Sequence, residues 1–150
     1  MKKFEFSLGR IRDYKNSILD KEKSVLASLR MEQASIEKRI AELDNYEAEI
    51  NEEMRNKIRE GLSVGEIKMY EFRKNNIRDE KIALNHRLEF LAASIELQQK
   101  RIEKLKQETS SYDKLEEKQR EEYNAEILKE QEQVISEFIS QKLIREKINS

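Results

Sequence analysis

From Ile67 to Tyr112 the chain places a residue of a single seam every three or four positions without a miss. The series runs Ile67, Tyr70, Lys74, Ile77, Lys81, Leu84, Leu88, Leu91, Ile95, Gln98, Ile102, Leu105, Thr109 and Tyr112, most of them apolar. A 3.5-residue repeat held this long predicts an α-helix wound left-handedly around a partner helix, and it argues against a globular packing face. A partner stripe lies upstream, where Leu8, Ile11, Ile18, Val25, Leu29, Ile36, Ile40, Leu43, Ile50, Met54 and Ile58 follow one another at three, four or seven positions. Lys15, Glu22 and Glu47 fall in its gaps, and its phase slips between Leu29 and Ile40, so this seam is expected to be imperfect and locally altered in winding.

The chain has no proline and only three glycines, which leaves room for very few reversals. One is well marked. Gly61 can adopt the left-handed conformation that follows a helix end, because it has no Cβ to clash there. Ser63 and Glu66 have capping-box spacing, and Leu62 and Ile67 are placed as a hydrophobic staple, so a second helix starts directly after the first has stopped. So short a connection makes the two helices antiparallel.

The expected fold is therefore all-α: a long two-helix antiparallel coiled-coil hairpin, read as one domain over residues 1–150. Helix one spans about 7–60, the turn 61–63 and helix two about 64–148. At 1.5 Å per residue helix one is roughly 75 Å long and helix two about 125 Å. Leu8 should then lie near residue 118, leaving the chain from about Glu121 as an overhang. That overhang carries Val134, Ile135, Phe138, Ile139, Leu143 and Ile144, an apolar patch that a soluble monomer rarely exposes without a partner. A register break is expected around Thr109-Ser110-Ser111, with the helix continuing through it and Leu115, Tyr123, Ile127, Val134, Phe138 and Ile148 forming a looser stripe.

Charge and composition narrow the functional classes. The 30 basic and 31 acidic residues are mixed along the chain, so no basic stripe meets a phosphate backbone and nucleic acid is not an expected partner. Without cysteine there are neither disulfides nor thiolate metal sites, which fits a reducing compartment, and the cytoplasm is the expectation. The opening Met1-Lys2-Lys3-Phe4-Glu5-Phe6 does not read as a signal peptide, and no stretch approaches the roughly 20 apolar residues of a membrane span.

No catalytic constellation emerges either. His86 is the only histidine and lacks a Glu three residues before it, so it reads as a solvated helix-face residue. Carboxylates interleave with Lys and Arg, as in Glu116-Glu117-Lys118-Gln119-Arg120, and form an ion-paired surface without the water-excluding pocket that acid–base chemistry needs. Gly61 and Gly65 lack the ending of a phosphate loop. No cofactor or metal is expected. Lys74, Lys81 and Gln98 read as register devices within the seam. Phe72, Ala83, His86 and Phe90 line an outer face of helix two, and Tyr14 and Tyr46 flank the first stripe; such residues are either scattered surface apolars or the anchors of a partner.

The order of these features resembles the flagellar export protein FliJ family over nearly the whole chain. The opening Phe4-x-Phe6-x-Leu8-x-x-Ile11, the polar turn near residue 62, Tyr70 and Phe72 early in helix two, the run Lys114 to Tyr123 and then Glu130-Gln131 carry the likeness. Ser136-Glu137 stands where the family tends to carry an Asp-Glu pair, and Gly9 is unusual in a first helical turn.

The resemblance implies a non-enzymatic component of the bacterial flagellar type III protein export apparatus. It would be a coiled-coil stalk similar in shape to the gamma subunit of rotary ATP synthases. Its implied partners are the export ATPase ring, the cytoplasmic domain of the export gate and export chaperones. The chain is expected to be monomeric in isolation, and cytoplasmic or peripheral at the cytoplasmic face of the inner membrane. In this reading Phe4, Phe6, Leu8 and Ile11 with Val134 and Phe138 line the ATPase-facing end, and Tyr46, Tyr70, Phe72 and His86 the gate-facing tip half. A stalk of a virulence-type secretion system and an unrelated coiled-coil homodimer are the alternatives.

Overall fold

The computed structural model describes residues 2–149, and among them there are two helices and no strand: α1, Gly9–Glu60, and α2, Val64–Asn149. The two long helices pack against each other, as the all-α hairpin reading required. Their contacts fall into two compact units, Asp20–Glu103 and Met1–Leu19 with Lys104–Ser150.

In the unit Asp20–Glu103 the reversal follows local chemistry. Gly61 takes φ 98°, and the Glu66 amide donates to Ser63 Oγ at 3.2 Å. Glu66 does not complete the box, because its carboxylate accepts instead from Lys57 Nζ at 3.3 Å across the turn. Leu62 packs with Met54 and Leu84 against a buried cluster of Leu43, Ile50, Tyr70 and Ile77. Further along the same seam Ile36, Leu91, Ile95 and Ile102 are buried.

The seam of α1 differs from the sequence expectation in one instructive way. The seam runs through buried and half-buried Glu22, Leu26, Leu29, Gln33, Ile36, Ile40, Leu43, Glu47, Ile50 and Met54 at unbroken four-three spacing, with half-buried Glu32, Arg39, Glu42 and Asn51 beside it. Val25 and Ile58, counted in the expected stripe, are exposed, and the expected phase slip does not occur. Following only apolar side chains steps off the true phase, because this seam accepts polar residues wherever α2 satisfies them. Gln98, 5 % exposed, donates from Nε2 to the Glu22 carbonyl at 2.9 Å and to the Glu22 carboxylate. Lys81 pairs with Asp44 and with Glu47, the latter at 3.2 Å. The register-device reading of Lys81 and Gln98 thus acquires its partners, two of which, Glu22 and Glu47, filled the apparent gaps.

Two forked ion pairs flank this seam. Arg39 Nε and Nη2 donate to the two carboxylate oxygens of Glu80 at 2.8 and 3.2 Å, and Arg87 does the same to Glu32 at 2.8 and 3.1 Å.

In the other unit the α1 seam reads Leu8, Arg12, Lys15 and Leu19, with Leu19 buried. Arg12 pairs with Glu116 and lies 3.7 Å from Asp113, and Lys15 donates to Glu108 at 3.0 Å. On α2 the expected break at Thr109-Ser110-Ser111 is absent. Thr109 is buried with its hydroxyl on the Lys106 carbonyl at 3.1 Å, and Ser111 Oγ donates to the Gln107 carbonyl at 2.9 Å. These local bonds satisfy the hydroxyls within the helix, so the seam continues in phase through Tyr112, Glu116, Gln119 and Tyr123.

Candidate partner-binding surfaces

Residues 2–8 are not helical and form a strap over α2. The Phe6 carbonyl accepts from the Gly9 amide at 3.1 Å and the Leu8 carbonyl from the Arg12 amide at 3.0 Å, which launches α1 at the glycine. Upstream of that start the Phe4 ring lies 5.5 Å from the Tyr123 ring, with the Arg120 guanidinium 4.6 Å above its face. Tyr123 donates its hydroxyl to the Lys2 carbonyl, and Arg12 covers the Phe6 ring at 5.4 Å. Cations over aromatic faces and a hydroxyl–carbonyl bond give this strap specific anchors in place of a deep core.

The strap extends the cover of α2 past Glu121, where the overhang was expected to begin. Tyr123 and Ile127 are half-buried, and beyond them every described residue to Asn149 is exposed. Val134 and Phe138, at 61 % and 67 % exposed, therefore stand on an uncovered helix together with Leu128, Ile135, Ile139, Leu143, Ile144 and Ile148. Tyr123, Ile127, Glu130, Gln131, Val134 and Ile135 line a shallow, open groove along it.

The six residues expected at the ATPase-facing end are thus separated into two kinds. Phe4, Phe6 and Leu8 are half-buried in the strap and the start of α1, Ile11 is exposed off the seam, and Val134 and Phe138 are fully available. Sequence reasoning passed over Tyr123 and Arg120 as members of this region. Their signal was Tyr123 in phase with the α2 seam and a cation three residues before it.

The residues expected at the gate-facing half lie in the unit Asp20–Glu103. Tyr46, Phe72 and His86 are exposed, and His86 Nδ1 sits 3.9 Å from Glu89 one helical turn on. Tyr70 is a correction. It is 2 % exposed within the Leu43, Ile50 and Ile77 cluster, with Arg73 stacked 5.8 Å from its ring, so its side chain packs the hairpin and has no face left for a partner. Phe90, which sequence reasoning placed on the same outer face as Phe72, is exposed beneath the Arg87 guanidinium at 5.1 Å.

Electrostatics in both units is that of charge pairing on a wet surface. Hydrogen bonds from Arg39 and Arg87 hold the carboxyls of Glu80 and Glu32 below the usual carboxylate range. Hydrogen bonds to Asp44 and Glu47 raise the Lys81 ammonium, and Glu108 and Glu66 do the same to Lys15 and Lys57. Among the described residues no cluster of three His, Cys, Asp or Glu is arranged to hold a metal ion, and no helix is long and apolar enough to cross a membrane.

The family model described as "Flagellar FliJ protein" matches residues 4–147 of the chain. No curated protein matches, and no solved structure does.

Proposed function

We propose a role in flagellar type III protein export for this chain, which belongs to the FliJ family of flagellar proteins. It acts without catalysis of its own, as a cytoplasmic coiled-coil component that binds the export ATPase ring and links it to the cytoplasmic domain of the export gate, with export chaperones as further partners. One observation carries the ATPase contact: α2 runs on uncovered from Leu128 to Asn149 with Val134, Phe138 and their apolar neighbours in water. Burying each such side chain is worth roughly 1.5–3 kcal/mol, so a protein groove that covers this face has a ready driving force.

The strap contributes differently. Phe4 and Phe6 are engaged with Tyr123, Arg120 and Arg12, which supports a positioning role at the base of the tail in place of direct contact. For the gate, the exposed Tyr46, Phe72 and His86 are the proposed contacts, without Tyr70.

The test is a chain ending at Ile127, which keeps the strap on Tyr123 and removes only the uncovered helix. It should retain its helical melting transition, fail to co-purify with the flagellar export ATPase and fail to stimulate it. Undiminished co-purification and stimulation would move the ATPase site elsewhere.

A further inference from the structure

Past Ile127 the apolar stripe of α2 continues and loses its cover. From Tyr123 the stripe steps by successive fours to Ile127 and Gln131 and then by threes, fours and a seven to Val134, Phe138, Gln141 and Ile148, so the bare face adjoins one that already pairs with another segment of the chain. The charges on this helix decide what fits it. Ahead of Phe138, Glu126, Glu130, Glu132 and Glu137 stand against Lys129; beyond it, Lys142, Arg145 and Lys147 stand against Glu146. The two halves are therefore net acidic, four carboxylates against one lysine, and net basic, three cations against one carboxylate, on either side of Phe138.

We propose that this segment pairs antiparallel with the same segment of a second copy of the chain, on a two-fold axis near Phe138. Such an isologous contact sets each acidic half against a basic half, whereas a parallel pair would oppose like charges. With the axis between Glu137 and Phe138, this register brings Ile127 opposite Ile148, Val134 opposite Gln141 and Glu130 opposite Arg145. The inference departs from the expected monomer and does not rest on the export reading. It adds a consequence to that reading, because self-pairing covers the face proposed for the ATPase and the two contacts compete.

Sedimentation velocity on the full chain, in a dilution series at low salt, tests it. The mass should rise with concentration from 18.0 kDa toward twice that value and fall back at high salt. Phe138→Asp should abolish the rise. Glu130→Lys with Glu132→Lys should stay at 18.0 kDa alone, as should Lys142→Glu with Arg145→Glu, and an equimolar mixture of these two variants should regain the paired species. Far-UV circular dichroism confirms that each variant is as helical as the parent. A parent chain at 18.0 kDa throughout the series overturns the proposal. So do charge variants that each pair alone as the parent does, or a mixture that fails to pair. A monomeric parent that still co-purifies with the export ATPase overturns this inference alone, and a parent that pairs when concentrated but fails to co-purify even when diluted to its monomer overturns only the export reading.

Discussion

Gly61 and Tyr70 show how differently single residues bear on this molecule. Gly61 sits at φ 98° with open space where a Cβ would point, so the cost of a side chain there is backbone strain and not collision. Gly61→Ala should cost about 1 kcal/mol, read as a lowered midpoint in urea unfolding. Tyr70→Ala removes a ring from the Leu43, Ile50 and Ile77 cluster and should cost about 3 kcal/mol by the same measurement. Phe72→Ala, two residues on and 66 % exposed, should shift the midpoint by no more than about 0.5 kcal/mol, while weakening pull-down of the gate domain. An unchanged pull-down would remove Phe72 from the proposed contact. Residues two apart on a helix point roughly 200° away from one another, so Tyr70 and Phe72 cannot share a face. The seam spacing already held Tyr70, and its resemblance-based pairing with Phe72 overrode that spacing.

At the level of elements, the helices are held in register as much by polar seam pairs and flanking ion pairs as by apolar layers. Glu32 and Glu80 titrate below their ordinary range in the folded state because Arg87 and Arg39 hydrogen-bond their charged forms. The unfolded chain takes up those protons first, so the contribution is complete above the ordinary carboxylate pKa and is lost as pH falls through the lower folded values. Stability of the unit Asp20–Glu103 should therefore decline on acidification across that window, as urea midpoints at stepped pH would show. Arg39→Gln with Arg87→Gln should flatten the decline; an unaltered slope would mean that other carboxylates carry it. Gln98 is a different case, buried and bonded to Glu22. Gln98→Ala leaves the Glu22 carboxylate beside an apolar layer and should destabilise by about 1–3 kcal/mol, measurable as a lower thermal midpoint.

For the whole molecule the near balance of charge, formally −1, and the mixing of signs leave apolar contact as the main adhesive for partners. Exposed apolar side chains are concentrated past Ile127, where α2 outlasts both α1 and the strap. Removing that segment should leave folding cooperative, since it adds exposed helix and no core, and should silence the partner interactions assigned to it. A truncated chain that loses its melting transition would show that the segment supports the fold, contrary to its exposure.

Much of this was legible from spacing alone. The helical class, the reversal at Gly61 and the antiparallel sense follow from a 3.5-residue repeat and from local backbone preferences, which a single chain segment carries within itself. The uncovered end of α2 followed from length, because unequal helices joined by a short turn cannot finish together. What tertiary structure decided was which neighbour fills each layer: Leu26 in place of Val25, Glu22 and Glu47 in place of apolar residues, Tyr70 inside and Phe72 outside. A polar side chain belongs in a seam only if the opposite helix supplies its partner, and that information lies many residues away. The strap is the extreme instance, with Lys2 and Tyr123 bonded across 121 positions of chain, a distance over which no local propensity can reach.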